Sequence, residues 1–370
     1  MTDEERGKSI EELIVIDSHL DLALNALPLG RDLTKSAHEL RHLETSSPAE
    51  KGEAKRKGWG RGTVAFPDLR KGDVALSFAT LLARVGIQSD SDLDFGAPAN
   101  AYAAAHGQLS YYRKMEERGI LRFITDLDEL KDHLESWEED KEKTPLGIVL
   151  SMEGSDPITE PAEVEEWWKK GLRVASLVHY GIGRYAHGTG TEGGLLPAGE
   201  DLLEAFEEVG MILDLTHLSE ESFWEALEAF SGPVMASHNN CRELVPGDRQ
   251  FSDEQLEALA ERGGVTGVTC DNWMLYPSLR EGKRQPEAVP LTRVADQIDY
   301  VCQLTGNADH VAIGSDLDGG FGADQTPKEI DTIADLGLIL EELADRGYEG
   351  DDLAKIAYGN WLRTLKEAWQ

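Results

Sequence analysis

Residues 13–21 read LIVIDSHLD, an apolar, β-branched run that breaks off into acids, a hydroxyl and an imidazole. A short apolar run bounded in this way fits a strand buried on both faces. The pattern returns at 74–80 (VALSFAT), 146–152 (LGIVLSM), 172–178 (LRVASLV), 211–215 (MILDL), 233–237 (PVMAS), 265–269 (VTGVT) and 311–315 (VAIGS). Longer amphipathic stretches predict helices over 98–119, 126–140, 161–170, 200–209, 219–230, 252–262, 292–305, 328–346 and 351–368. Ser219 is placed to cap its helix alone, whereas Ser252 with Gln255 fits a capping box. Such alternation predicts a parallel sheet covered on both faces. Eight units predict a closed (β/α)8 TIM barrel, with an open doubly wound sheet as the alternative.

Barrels routinely run to the 370 residues of this chain, and no linker divides it, so residues 1–370 are expected as one domain. Two long excursions are expected. One spans about 31–72 around the basic stretch KGEAKRKGWGRG, and the other spans 271–290 with Pro277, Pro286 and Pro290. The 70 acidic residues against 36 basic ones give a formal charge of −34. That balance argues against a nucleic-acid partner, which needs a concentrated basic surface, and against an electrostatic membrane anchor, which needs Lys/Arg clusters. It reads as a solvated anionic skin and names no reaction. Cys241, Cys270 and Cys302 are too few and scattered for a disulfide framework or a cysteine zinc knot. With no signal-like start and no apolar run of membrane-spanning length, a cytoplasmic protein is expected.

The C-terminal ends of the strands carry the chemistry. The first strand runs into Asp17, Ser18, His19 and Asp21; later ones end at Glu153, His179, His217, His238 and Asp316. In a barrel these C-terminal ends converge on one mouth. His19 and Asp21 stand two apart, which on an extended strand puts both on one face, a half-site for a borderline divalent metal. Glu153 offers a carboxylate able to bridge two ions, and His217 and His238 offer neutral nitrogens for a second ion. A single histidine is more often a core or surface residue, but four of the ten stand at strand ends. The others read differently: His38, His42, His106 and His133 as surface, His187 as a loop residue near the mouth, and His310 as structural at the opposite end.

The motifs DSHLD (17–21), SMEG (151–154), LVHYG (177–181), LDLTH (213–217), ASHNN (236–240) and GSDLDG (314–319) together resemble the membrane (renal) dipeptidase family, peptidase family M19. The resemblance runs from about residue 13 to the C-terminus. It implies a (β/α)8 barrel with a binuclear zinc site that hydrolyses dipeptides. By motif, His19 and Asp21 bind one of two Zn2+ ions, Glu153 bridges both, and His217 and His238 bind the other. His179 matches the family's substrate-contacting histidine, Arg249 its substrate-recognising arginine and Asp316 its catalytic aspartate. The sequence departs from the family after Arg249, where RQFSD replaces the familiar RNVPD, and after the seventh strand, where CDNWML replaces an aromatic, Asn-rich segment. Family members are commonly homodimers, though no motif in this sequence marks an interface.

These groups suit hydrolysis of a dipeptide by a hydroxide bridging the two metals, and the motifs leave open whether a D-residue is accepted at the second position. His179 would donate to the tetrahedral oxyanion, a role worth about 3 kcal/mol of barrier. Asp316 would act as general base and then general acid, with Asp318 in support. Arg249 suits the substrate's free carboxylate, and reads equally as a surface ion pair in so acidic a chain. The rivals are another binuclear-metal amidohydrolase on the same barrel and a metal-holding binding protein without turnover. Many of the former bridge their metals with a carboxylated lysine from the fourth strand, where this chain has His179.

Overall fold

All eight apolar runs form parallel strands. They are β1 (Val15–Leu20), β2 (Val74–Leu81), β3 (Leu146–Met152), β4 (Leu172–Ser176), β5 (Ile212–Asp214), β6 (Val234–Met235), β7 (Thr266–Val268) and β8 (Val311–Ile313). The computed structural model describes residues 10–47, 58–86, 93–277 and 288–370. Strands β1 to β6 pair in chain order. A bridge from Ala236 to Thr266 carries the sheet on to β7, which pairs with β8. Three short strands were not expected: Leu121–Phe123, which pairs with the lower half of β3, residues Leu146–Ile148, and Arg84–Val85 and Asp94–Phe95, which pair with each other. Every residue of the eight strands is buried, as a sheet wrapped by helices requires.

The barrel closes between β8 and β1, and there side chains replace the ladder. Ser315 donates its backbone N–H to Asp17 Oδ1 at 2.9 Å and its hydroxyl to Asp17 Oδ2. Ser18 Oγ lies 2.5 Å from Ser237 O and 3.2 Å from Ile313 O, with one proton to share between them. Carbonyls of β8 need partners because they are buried. Asn360 Nδ2 donates to Val311 O at 2.8 Å, and Trp361 Nε1 donates to Ile313 O at 2.9 Å. The interior is tight enough to exclude a methyl group. A Cβ on Gly267 or Gly314 would meet Ser237 O at 2.0 or 1.9 Å and Ser18 Oγ at 2.6 or 2.7 Å.

Local signals place the outer helices. Ser219 caps Glu220–Ala229 by accepting from Ser222 N, and Ser252 with Gln255 forms the expected box before Asp253–Glu261. Stretch 31–72 is more regular than its composition suggests. Ser36 and Glu39 form a capping box that opens a helix over Ala37–Ser46, and Phe66–Lys71 forms another. Residues 48–57 of that excursion, and 278–287 of the second, lie outside the described residues.

His133 corrects the sequence reading, which put it on the surface. It is buried, on the face that the helix Leu127–Asp140 shares between Leu130 and Trp137. Its Nε2 lies 2.8 Å from Ala75 O, and its ring fills the space a side chain at Gly147 would take. The spacing 130, 133, 137 carried this information, but a run of acids and lysines obscured the stripe. Among the described residues no helix is long and apolar enough to cross a membrane.

Gly314→Ala is expected to destabilise the fold by about 3 kcal/mol, because the added methyl meets backbone, which cannot swing aside. Urea unfolding of the two proteins side by side measures this; a midpoint equal to the parent's would show that the interior yields.

Candidate metal centre

The strand ends bring the expected polar residues together around one carboxylate. Glu153 stands directly after β3. Its Oε1 lies 3.1 Å from His217 Nε2, 3.3 Å from His238 Nε2 and 3.6 Å from His179 Nε2, while Oε2 lies 3.7 Å from His19 Nε2. His19 Nε2 is 3.8 Å from Asp316 Oδ1, and the Nε2 atoms of His217 and His238 are 3.1 Å apart. Three overlapping triads have ligand atoms within 4.8 Å of one another: Glu153, His217 and His238; His19, Asp21 and Glu153; and His19, His238 and Asp316. Glu153 belongs to the first two, so its oxygens face two sites at once.

Burial sets the protonation of this cage. Desolvation holds His19, His217 and His238 well below the usual imidazole range, so all three are neutral at pH 7. Burial, then Glu153, pushes Asp21 up to about 8. Burial, then Glu153 and Asp21, raises Asp316 well above the carboxylate range. Neutral nitrogens, crowded carboxylates and a buried His19 Nε2 with no hydrogen-bond partner fit a pair of divalent cations. Such ions would offset the burial and the carboxylate repulsion that hold protons on Asp21 and Asp316.

A second layer orients these donors, and the sequence reading missed most of it. Thr80 Oγ1 donates to Asp21 Oδ1. Ser237 Oγ donates to Asp214 Oδ2 at 2.5 Å and lies 2.8 Å from His238 Nδ1. With that hydroxyl proton committed, His238 Nδ1–H is the donor and its Nε2 lone pair faces the cage. Thr189 Oγ1 serves His217 Nδ1 in the same way at 3.1 Å, its own proton directed at His217 O. Asp214 lies within a quoted motif, two residues before Thr216, but only the fold shows that it acts on His238.

The family model described as membrane dipeptidase (peptidase family M19) matches residues 5–370. The chain belongs to that family. It is a metallo-dipeptidase by this membership, on a TIM-barrel-like fold. Among curated relatives, a protein in the pqqA 5′ region of Klebsiella pneumoniae is 32% identical over 62% of this chain and 85% of its own. Dipeptidase aclJ of Aspergillus oryzae is 34% identical over 60% of this chain, a match that spans about half (51%) of that protein. Two solved structures share the fold at 22% identity and a TM-score of 0.76. They are dipeptidase AC, covering 97% of this chain and 99% of its own, and a Rhodobacter sphaeroides metallo peptidase liganded with a phosphinate mimic of L-Ala-D-Ala, covering 96% and 99%.

In this M19 chain the cage floors a cleft of about 210 Å³, lined also by Leu82, Tyr180, Arg249, Asp271 and Met274. Arg249 is buried. It donates to Asn239 Oδ1 and His238 O, each at 2.8 Å, and has no ion pair among the described residues. The surface ion pair weighed as its alternative is therefore absent there. Asp318 is buried and bonded to the 31–72 excursion. Thr63 and Val64 donate to its carboxylate, and Arg31 pairs with it at 3.2 Å, which ties the 31–72 excursion to the mouth. His187 bonds Gly194 O and His310 bonds Gly264 O, both away from the cage. A larger groove of about 950 Å³, near Ile14 and Asp73 at the other end of the barrel, contains none of these residues.

Because Asp21 holds a proton up to about pH 8 without metal, zinc uptake at pH 7 is expected to release at least one proton per cage. The share that comes from Asp21 should fade above about pH 9, where that group is already ionised, so the release should fall between pH 7 and pH 9. Titration calorimetry in buffers of different ionisation enthalpy reads this directly; no buffer dependence at pH 7 would contradict the protonated cage.

Proposed function

We propose that this chain hydrolyses dipeptides with two zinc ions held by His19, Asp21, Glu153, His217 and His238. One observation carries the reading. A buried guanidinium without an ion-pair partner among the described residues shares a cleft of about 210 Å³ with a carboxylate–imidazole cage. A buried cation lining such a cleft calls for an anion, and a dipeptide's free carboxylate supplies one beside its single peptide bond. Mixed nitrogen and oxygen donors suit zinc among the divalent metals.

When bound, the metal pair supplies Lewis acidity and lowers the pKa of the attacking water. The chain's own residues do the rest. Arg249 orients the substrate by its carboxylate, with the guanidinium held by Asn239 and the His238 carbonyl. His179, kept neutral by burial with its pKa lowered to about 3, donates to the carbonyl oxygen as that atom gains charge. Asp316 takes the proton of the attacking water and passes it to the leaving nitrogen. The R. sphaeroides structure holds a mimic of L-Ala-D-Ala, and we extend the proposed substrates to dipeptides with a D-residue second.

Zinc-loaded protein is expected to release free amino acids from a panel of L-L and L-D dipeptides and to spare ester and lactone controls. Asp316→Asn should keep two metals by elemental analysis and lose turnover by at least about 100-fold, the lower end of general acid–base contributions. Preference for the lactones would move the reading to another amidohydrolase, no turnover at any metal loading would leave a binding protein, and loss of metal in Asp316→Asn would make this residue a ligand.

A further inference from the structure

The cage contains four imidazoles at the end of the barrel, and for three of them, His179, His217 and His238, the partner of Nδ1 tells the rings apart. His238 and His217 face hydroxyl oxygens, Ser237 Oγ at 2.8 Å and Thr189 Oγ1 at 3.1 Å, whose own protons are directed at other acceptors. Those rings donate from Nδ1 and turn an Nε2 lone pair into the cage. His179 faces the opposite kind of group: its Nδ1 lies 3.1 Å from Arg84 Nη1. A guanidinium has five donors and no acceptor, so His179 Nδ1 must carry the lone pair. The neutral ring then bears its proton on Nε2, the atom 3.6 Å from Glu153 Oε1. The other tautomer would set N–H against N–H at Arg84 and a lone pair against a carboxylate at Glu153.

Arg84 is itself held. Its Nη2 pairs with Asp94 Oδ1 at 2.7 Å, and Arg84 and Asp94 are register partners in a short parallel ladder, Arg84–Val85 against Asp94–Phe95. Asp156 anchors this ladder to the loop that carries Glu153, accepting from Val85 N at 2.6 Å and from Arg184 N at 2.8 Å. The chain of contacts runs Asp94, Arg84, His179, reaction centre.

We infer that Arg84 is a positioning residue: clamped by Asp94, it locks His179 in the Nε2–H tautomer, which makes this imidazole a hydrogen-bond donor to substrate while its neighbours are lone-pair donors to metal. The inference rests on the dipeptidase reading only for the identity of the oxygen that His179 meets. A wrong tautomer leaves a ring in place with its donor pointing away, so the loss falls on the transition state, in kcat, and not on substrate binding.

The test uses the full zinc-loaded chain with ¹⁵N-imidazole-labelled histidine, and two-bond ¹H–¹⁵N spectra that distinguish the tautomers, with the His179 ring identified by its absence in H179N. The parent should show His179 protonated on Nε2. Arg84→Met should show a mixed or reversed tautomer, unchanged zinc content and KM within about twofold, and kcat lower by on the order of 10- to 100-fold, the range for outer partners of site histidines. Arg84→Lys, still a pure donor, should keep the tautomer and recover most of the loss. A parent His179 protonated on Nδ1 overturns the inference without needing any variant, and so does an Arg84→Met protein with parent tautomer and kcat. Failure of the parent to hydrolyse any dipeptide, with the Nε2–H tautomer in place, would sink the substrate reading and leave the clamp standing.

Discussion

The bond between Asp17 and Ser315 holds the molecule's two ends together and, with them, its chemistry. No ladder joins β1 to β8 among the described residues, so the closing seam rests on side chains: a buried carboxylate that takes both the N–H and the hydroxyl of Ser315, beside the Ser18 hydroxyl at Ile313 O. Burial raises the Asp17 pKa to about 6, the ordinary penalty for placing a carboxylate in a dry interior. The three hydrogen bonds it accepts offset that penalty in part. Asp316 follows Ser315 directly, and His19 stands two residues after Asp17. Closing the seam therefore also brings His19 Nε2 within 3.8 Å of Asp316 Oδ1. The contacts that close the barrel also set these two site residues side by side.

Three of the four described non-glycine residues with positive φ lie at the site, the fourth being Asp73 at 53°. His217, Asp316 and Asp318 all have positive φ, at 69°, 55° and 63°, where a residue with a Cβ is disfavoured by about 1–3 kcal/mol. Their surroundings hold them there. Thr189 fixes His217, and Thr63, Val64 and Arg31 fix Asp318. Gly319 gives Asp316 its room, since a Cβ at that position would lie 1.7 Å from Asp316 Oδ1. The 31–72 excursion thus has a structural task at the mouth, which its basic composition alone did not suggest.

The cage also shows why residue type is too coarse a guide to role. His133, His179 and His238 are all buried or nearly so, yet one packs against β2 and β3, one is a proposed donor and one a proposed ligand. The difference lies in the atom opposite each ring nitrogen. Arg249 makes the same point, for a cation expected equally at an acidic surface is buried against Asn239 and the His238 carbonyl.

The sequence by itself determined the eight strands, their parallel order and the polar residues at six of the strand ends. These are local properties, a run of apolar residues and a side-chain period of two, and they are legible without knowing what lies nearby. It also placed the caps at Ser219 and Ser252, which act within three residues. Tertiary structure alone decided the seam, the tautomers and the burial of His133 and Arg249. Each of these depends on a partner far along the chain: 298 residues from Asp17 to Ser315, 95 from Arg84 to His179 and 59 from Asp21 to Thr80. Short-range pattern selects the elements, and only their packing selects which nitrogen of a histidine carries the proton.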